Sequence, residues 1–355
     1  MPKRINNIYD NALTFSKIRA AFYRVNKRKK KTKEAMKFEM YLEDNILDIY
    51  KKLKNETYEL GDYVTFKVYE PKERIICCLP FLDRVVQQLY VYEYIMPYMI
   101  KKFIPTSFAC IPKRGIHECV RTVQKNMYSV MKLWREPYFV KYDISKFFYS
   151  INREILFEIM QKYYKDKKFL RLTKKFIEFG GDAEIFAGKG LPIGNYTSQY
   201  FANIYMNELD QYIKKELKVK YYVRFMDDGL MIVENKEKAK EIFQKIEEFV
   251  IKKLDLKFNA KSCYFPVKKG CVFCGYRIFL DHLLIKRANI NRIKRRIDSW
   301  NKQWKNGKRD FKYWHQSFYA WKGYACFAKS YNLVNKLEKR MKFIYRENYK
   351  NTWQN

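Results

Sequence analysis

Two adjacent acids, Asp227 and Asp228, interrupt the run Tyr222–Val233, whose remaining residues are mostly apolar, β-branched or aromatic. Apolar segments on both sides predict two buried strands joined by a tight hairpin, with the carboxylates at its tip. Paired carboxylates in that setting repel each other and lose hydration, which is costly unless a cation compensates. Hard oxygen donors suit Mg²⁺, which usually takes one or two protein carboxylates together with substrate phosphates. A third acid has a similar setting: Phe139-Val-Lys-Tyr-Asp143 runs as a strand into Asp143, followed by Ser145 and the pair Phe147-Phe148. Neighbouring central strands would bring Asp143, Asp227 and Asp228 together as a site for two Mg²⁺ ions. The implied chemistry is phosphoryl transfer, with one ion activating a 3′-hydroxyl and the other steadying the triphosphate and leaving oxygen. An exposed Asp-Asp turn is the ordinary alternative for either cluster alone. Together they favour nucleotidyl transfer.

The elements that must position these acids follow from the pattern around them. Residues 1–60 read as amphipathic helices with a basic run at Lys27-Arg-Lys-Lys-Lys31, either a solvated face or a contact for RNA or an accessory protein. Residues 64–79 alternate as a strand pair from which Lys72 and Arg74 project, and residues 83–103 read as a helix with Asp83 near its start. A loop from Pro105 to Gly115 carries Lys113 and Arg114, to which at most a template contact is assigned. Residues 151–180 are helical up to Gly180-Gly181, Phe201–Leu217 is a helix, and residues 236–257 form a charged amphipathic helix. Cys271–Ile278 reads as strand–turn–strand, which takes precedence over a zinc site at Cys271-Val-Phe-Cys274, since no second Cys-x-x-Cys accompanies it. From Lys286 the chain is helical and basic, with Arg292, Lys294, Arg295 and Arg296 clustered and Trp300, Trp304, Trp314 and Trp321 spaced along it. His315 reads as structural.

The 355 residues, 48% of them hydrophobic, suffice for a substantial core in two or three subdomains. The net charge of +35 favours a polyanionic partner bound in a salt-dependent way. An AT-rich genome would also raise Lys, Asn, Tyr, Phe and Ile, but it need not leave acids so outnumbered. The 31 tyrosines and 27 phenylalanines are mainly core material, with some available for base stacking. No stretch is apolar enough to span a bilayer and no secretory leader is evident, so a cytoplasmic protein without membrane contact is expected. The eight scattered cysteines are expected to be reduced thiols.

At these residues the chain resembles the reverse transcriptases. Phe225-Met-Asp-Asp228 is similar to the Tyr-x-Asp-Asp motif with Phe for Tyr, and Asp143-Ile-Ser-Lys-Phe-Phe148 to the first palm motif. Gly190-Leu-Pro-Ile-Gly-Asn-Tyr-Thr-Ser-Gln199 resembles the segment beneath nucleotide and template. Tyr69-Glu-Pro-Lys-Glu-Arg74 with Asp83-Arg-Val-Val-Gln87 resembles the fingers motif, and Val272-Phe-Cys-Gly-Tyr-Arg277 the primer-grip hairpin. The motifs keep the family's order over roughly residues 60–330.

The resemblance implies an α+β right-hand polymerase. Residues 1–60 would be a basic helical extension, 61–280 the interleaved fingers and palm, and 281–355 a C-terminal α-helical thumb gripping an RNA–cDNA duplex. It implies that Lys72 and Arg74 bind the triphosphate, that Phe148 gates against a ribose 2′-hydroxyl, and that Ile193, Gly194 and Gln199 lie at the nucleotide. Phe273, Cys274, Gly275 and Tyr276 would grip the primer. Lys261 matches a lysine that approaches the leaving pyrophosphate, as a general acid or simply as a surface lysine. Ile193-Gly-Asn-Tyr-Thr-Ser-Gln199, with Ala202–Tyr205 and Asn207–Asp210, is most similar to reverse transcriptases of diversity-generating retroelements, as is Ser317–Ala325. An error-prone RNA-directed DNA polymerase is therefore expected, acting on template RNA and deoxynucleoside triphosphates with a small accessory protein or as an oligomer. An antiphage defence reverse transcriptase with its own noncoding RNA is the alternative, and an RNA-binding scaffold the non-enzymatic one. Phe225, without the tyrosine hydroxyl, and Gly229, where a bulkier residue is common, are expected to loosen primer–template contacts. The chain ends soon after the thumb, so no nuclease or integrase domain is expected.

Overall fold

The computed structural model describes residues 4–27, 32–69, 72–178 and 188–343. Most of the Lys27–Lys31 run, Glu70-Pro71 and Gly180-Gly181 lie outside the described residues. Four helices open the chain: α1 (Tyr9–Ala12), α2 (Phe15–Asn26), α3 (Lys33–Met40) and α4 (Leu42–Lys54). Thr14 and Thr32 start α2 and α3 by accepting hydrogen bonds from Lys17 N and Ala35 N, each filling an otherwise orphaned donor. Strands β1 (Val64–Val68) and β2 (Arg74–Cys78) pair antiparallel. Helix α5 (Phe81–Leu89) continues through a π-helical turn at Tyr90–Ile95 into α6 (Met96–Met99), so the expected helix is present but not uniform.

After α7 (Ile116–Leu133) come β3 (Tyr138–Asp143), the single turn α8 (Phe147–Ser150), α9 (Arg153–Tyr163) and α10 (Lys167–Glu178). Helix α11 (Tyr196–Gln211) begins five residues before the position read from the sequence, and a π-helical turn at Tyr212–Glu216 replaces its expected last stretch. The difference has a physical cause: Tyr196-Thr-Ser-Gln199 is polar enough to read as loop, yet α11 is buried on nearly every side, so its sequence shows no amphipathic stripe. Then follow β4 (Tyr221–Phe225), β5 (Asp228–Val233), α12 (Lys236–Leu254), β6 (Cys263–Pro266), the meander β7 (Cys271–Phe273), β8 (Tyr276–Ile278) and β9 (Leu283–Ile285), and finally α13 (Arg287–Lys305), α14 (Phe311–Ala325) and α15 (Tyr331–Arg340).

The chain divides into two compact units. The first comprises residues 1–115, 140–233 and 237–264, and the second residues 116–139, 234–236 and 265–355. A four-stranded sheet of order β4-β5-β3-β6 carries the site, with the β4–β5 hairpin lying against β3. In the second unit β7, β8 and β9 form an antiparallel meander. Trp300 and Trp314 are buried there with Ile293, Ile297, Phe318 and Leu337, so these tryptophans are core rather than surface. No helix among the described residues is long and apolar enough to cross a membrane.

Candidate active site

The β4–β5 register pairs Phe225 with Asp228 and leaves Met226-Asp227 as a two-residue turn. Asp228 is therefore the first residue of β5 rather than part of the hairpin tip. Two-residue hairpins of this kind need positive φ, which is usually supplied by glycine. Here Met226 adopts φ 58°, a left-handed conformation that costs a side-chain-bearing residue about 1–2 kcal/mol. Asp227 is half-buried. Burial pushes its carboxyl above the ordinary carboxylate range; its own backbone N–H opposes that, the charge of Asp143 adds to it, and Arg74 and Arg224 oppose it. Asp227, in the β4–β5 turn, thus feels the charge of Asp143 at the end of neighbouring β3.

Asp143, at the end of β3, is fixed through its backbone. Its carbonyl accepts from Asn259 N at 2.7 Å, and its N–H donates to Ser262 Oγ at 3.1 Å. Ser145 N donates to Lys257 O at 2.9 Å on the same segment. Residues 257–262 therefore bracket the end of β3, and exposed Lys261 is carried on this bracket, its N–H donating to Asn259 Oδ1 at 3.1 Å.

Beneath the turn lies a buried polar network. Arg224 Nε and Nη2 donate to both carboxylate oxygens of Asp210, the shortest contact being 2.7 Å, and both side chains are fully buried. Arg224 Nη1 donates to Asn203 Oδ1 at 3.1 Å and to the carbonyl of Met226 at 2.8 Å. Tyr222 donates its hydroxyl proton to Asp210 at 2.6 Å and lies 2.7 Å from the Tyr142 hydroxyl. Burial disfavours the Arg224 charge, but Asp210 outweighs it and holds the guanidinium more firmly charged than usual. Arg224 had a sequence signal as a lone base in an apolar strand, and Asp210 is one of two acids near the end of α11, but no functional role follows from either alone.

The remaining candidate residues spread over several elements. Lys72 and Arg74 are exposed at the β1–β2 hairpin, where neighbouring Glu73 pairs with Lys67 at 3.1 Å. Phe147 is buried, whereas Phe148 is half-buried with its ring 5.5 Å from that of Phe147. The carbonyl of Phe148 accepts from Leu191 N at 2.7 Å, and that of Ile193 accepts from Cys77 N of β2 at 2.8 Å. Gly194 has φ +121°, and a Cβ there would come within 2.5 Å of the Cys77 carbonyl, so the segment can pass this close to β2 only as glycine. Gln199 lies half-buried in the first turns of α11. Arg114 donates to the carbonyls of Ile104 and Ser107, which makes it a brace for its own loop.

In the second unit, Cys274 and Gly275 form the two-residue β7–β8 turn, both with positive φ. Tyr324 donates to the Gly275 carbonyl at 2.6 Å. Phe273 and Tyr276 are buried and anchor this hairpin, which leaves Cys274 and Gly275 as its half-exposed residues. The sulfurs of Cys274 and Cys119 lie 3.8 Å apart. His315 stacks on Tyr319 at 5.9 Å.

Among the described residues, no group of three or more His, Cys, Asp or Glu side chains lies close enough to hold a metal ion. Asp227 is a turn residue and Asp228 the first residue of the adjoining strand. Asp143 ends β3, and Asp227 sits in the turn of the neighbouring β4–β5 hairpin. Two carboxylates with excess negative charge still fit Mg²⁺, which completes its shell with water and phosphate oxygens.

An acid-bearing hairpin thus lies beside an acid-ended strand in one four-stranded sheet. The chain belongs to the reverse transcriptase (RNA-dependent DNA polymerase) family, whose profile matches residues 67–278. It is 26% identical over 193 residues to the group II intron-encoded protein LtrA of Lactococcus lactis, covering 51% of this chain and 30% of that relative. The chain thus spans about a third of the length of that relative. Among solved structures, telomerase from Candida albicans in complex with a fragment of telomeric RNA matches 66% of this chain and 46% of its own, at 11% identity and a TM-score of 0.47. Apo telomerase from Candida tropicalis matches 67% of this chain and 53% of its own, at 14% identity and a TM-score of 0.44.

Proposed function

We propose that this protein is an RNA-directed DNA polymerase that extends a primer on an RNA template with deoxynucleoside triphosphates. The observation that carries the reading is the placement of half-buried Asp227, in the β4–β5 turn, beside half-buried Asp143 at the end of β3, inside a chain of reverse transcriptase family. Asp143 and Asp227 would hold divalent ions, with Asp228 adding negative charge beside them. Such ions, when bound, supply activation of the primer hydroxyl and neutralisation of the triphosphate. Around that centre, Arg74 and Lys72 offer a planar fork and a point charge to phosphate oxygens. Phe148 presents a ring at the sugar. Lys261, held on the bracket of Asp143, donates a proton to the departing pyrophosphate. Cys274 and Gly275 present the β7–β8 turn to the primer. Arg292, Lys294, Arg295 and Arg296 of α13 bind duplex phosphates, as a thumb does, without reading bases.

The finer reading is that copying is error-prone, as in diversity-generating retroelements. It rests on Ile193, which offers shape and apolar contact where a polar side chain would hydrogen-bond near the sugar, and on Gln199. Primer extension on a defined RNA template with Mg²⁺ tests the general reading. Sequencing the product opposite each template base tests the finer one, and equal accuracy opposite adenine and the other bases would refute it.

A further inference from the structure

We propose that Arg224, held by Asp210, is the positioning residue that fixes the carboxylate turn, setting Asp227 against Asp143 for metal binding. The assignment as a metal site rests on the polymerase reading; the geometry beneath the turn does not. A buried ion pair is poor evidence for stabilisation, because desolvating both charges offsets most of their attraction. This pair must therefore be considered for what it holds. Arg224 is locked on one side by both oxygens of Asp210 and by Asn203. With its remaining Nη1 hydrogen it reaches the carbonyl of Met226 at 2.8 Å. Met226 is the turn residue with φ 58° and directly precedes Asp227. A strained turn persists only where its surroundings over-determine it. Arg224 supplies that constraint from a strand residue two positions upstream.

The network also reaches the other acid's strand. Asp210 accepts from Tyr222, whose hydroxyl meets that of Tyr142, the residue immediately before Asp143. A single buried carboxylate on α11 thus serves as the common anchor for β4 and β3. Lysine cannot replace Arg224 here, because a point charge on a flexible stem cannot pair with Asp210 in a fork and also reach the turn carbonyl. Removing such a partner behind a ligand typically costs about 10–100-fold in metal affinity or activity.

The test uses the full chain and a readout independent of catalysis: Mn²⁺ titration followed by electron paramagnetic resonance, with Asp227→Asn defining the signal from this site. Arg224→Lys should weaken that binding by about tenfold or more, and kcat should fall by a similar factor, while RNA affinity and the KM for deoxynucleotide stay within about twofold. An Ile49→Ala variant, which removes a buried side chain of α4, should lower Tm without moving Mn²⁺ affinity, separating positioning from general stability. If Arg224→Lys fails to fold, the double variant Asp210→Leu/Arg224→Met removes both buried charges at once, and its Mn²⁺ affinity decides. Wild-type Mn²⁺ affinity in whichever of these variants folds would overturn the proposal. Asp227-dependent Mn²⁺ binding that is weakened in Arg224→Lys, in a protein that extends no primer, would support this positioning role and refute the polymerase reading instead.

Discussion

Gly229 lies directly on the ring of Tyr142: a Cβ at Gly229 would fall 2.1 Å from Tyr142 Cε1. The contact joins β5 to β3 one residue from Asp228 and Asp143, so the glycine lets a buried ring pack between the two acid-bearing strands. The packing is tight, with the glycine making room for a buried tyrosine. Gly229→Ala should therefore destabilise the protein by about 1–3 kcal/mol through overpacking, and it should depress primer extension because Tyr142 precedes Asp143. Thermal melting alongside extension rates checks this; a variant with unchanged Tm and rate would show that the ring moves aside freely.

Ser262 bridges the backbone of Asp143 with its hydroxyl, 3.1 Å from the N–H and 3.3 Å from the carbonyl. Ser262→Ala leaves that N–H without its partner and should cost about 1 kcal/mol of stability. Because the contact sets the end of β3, kcat should fall more than RNA affinity does. Equal losses in both would point to general unfolding.

How much of this was legible beforehand depends on the kind of signal. Asp143, Asp227 and the hairpin between β4 and β5 stand out because acids interrupt continuous apolar runs. The β1–β2 hairpin shows instead in the alternation of residues 64–79, and β7–β8 in the strand–turn–strand pattern of Cys271–Ile278. The start of α11 was not legible, since a helix buried on all sides shows no stripe. Nor was the Arg224–Asp210 pair: each residue is visible alone, but their meeting depends on packing between α11 and β4. Gly194 and Gly229 were visible as residues, while the contacts that require them, with Cys77 and Tyr142, exist only in three dimensions.

Lys261 sits on the bracket of Asp143, which gives its role in pyrophosphate departure a defined expectation. Lys261→Ala should reduce kcat by about 10²-fold, the lower end for general acid catalysis, and leave Tm unchanged because the side chain is exposed. Pre-steady-state incorporation measures this. An unaltered rate would return Lys261 to the class of surface lysines.

Ile193 carries the fidelity reading. Its carbonyl is tied to β2, so replacing its side chain should leave the backbone path intact. Ile193→Gln restores a polar group near the sugar and should reduce misincorporation opposite template adenine by about tenfold, the discrimination one added polar contact of about 1.4 kcal/mol supplies. Sequencing of extension products from both proteins checks this, and identical error spectra would remove Ile193 from the account.

The central claim is that the Asp143–Asp227 pair is the catalytic centre of an RNA-directed DNA polymerase. Single-nucleotide primer extension on an RNA template with Mg²⁺, comparing the wild type with Asp227→Asn, tests it most directly. The wild type should extend the primer and the variant should lose at least about 10³-fold, a deficit of about 4 kcal/mol in transition-state stabilisation, with RNA affinity within about twofold. Extension by Asp227→Asn at the wild-type rate, or none by the wild type on any RNA template, would contradict it.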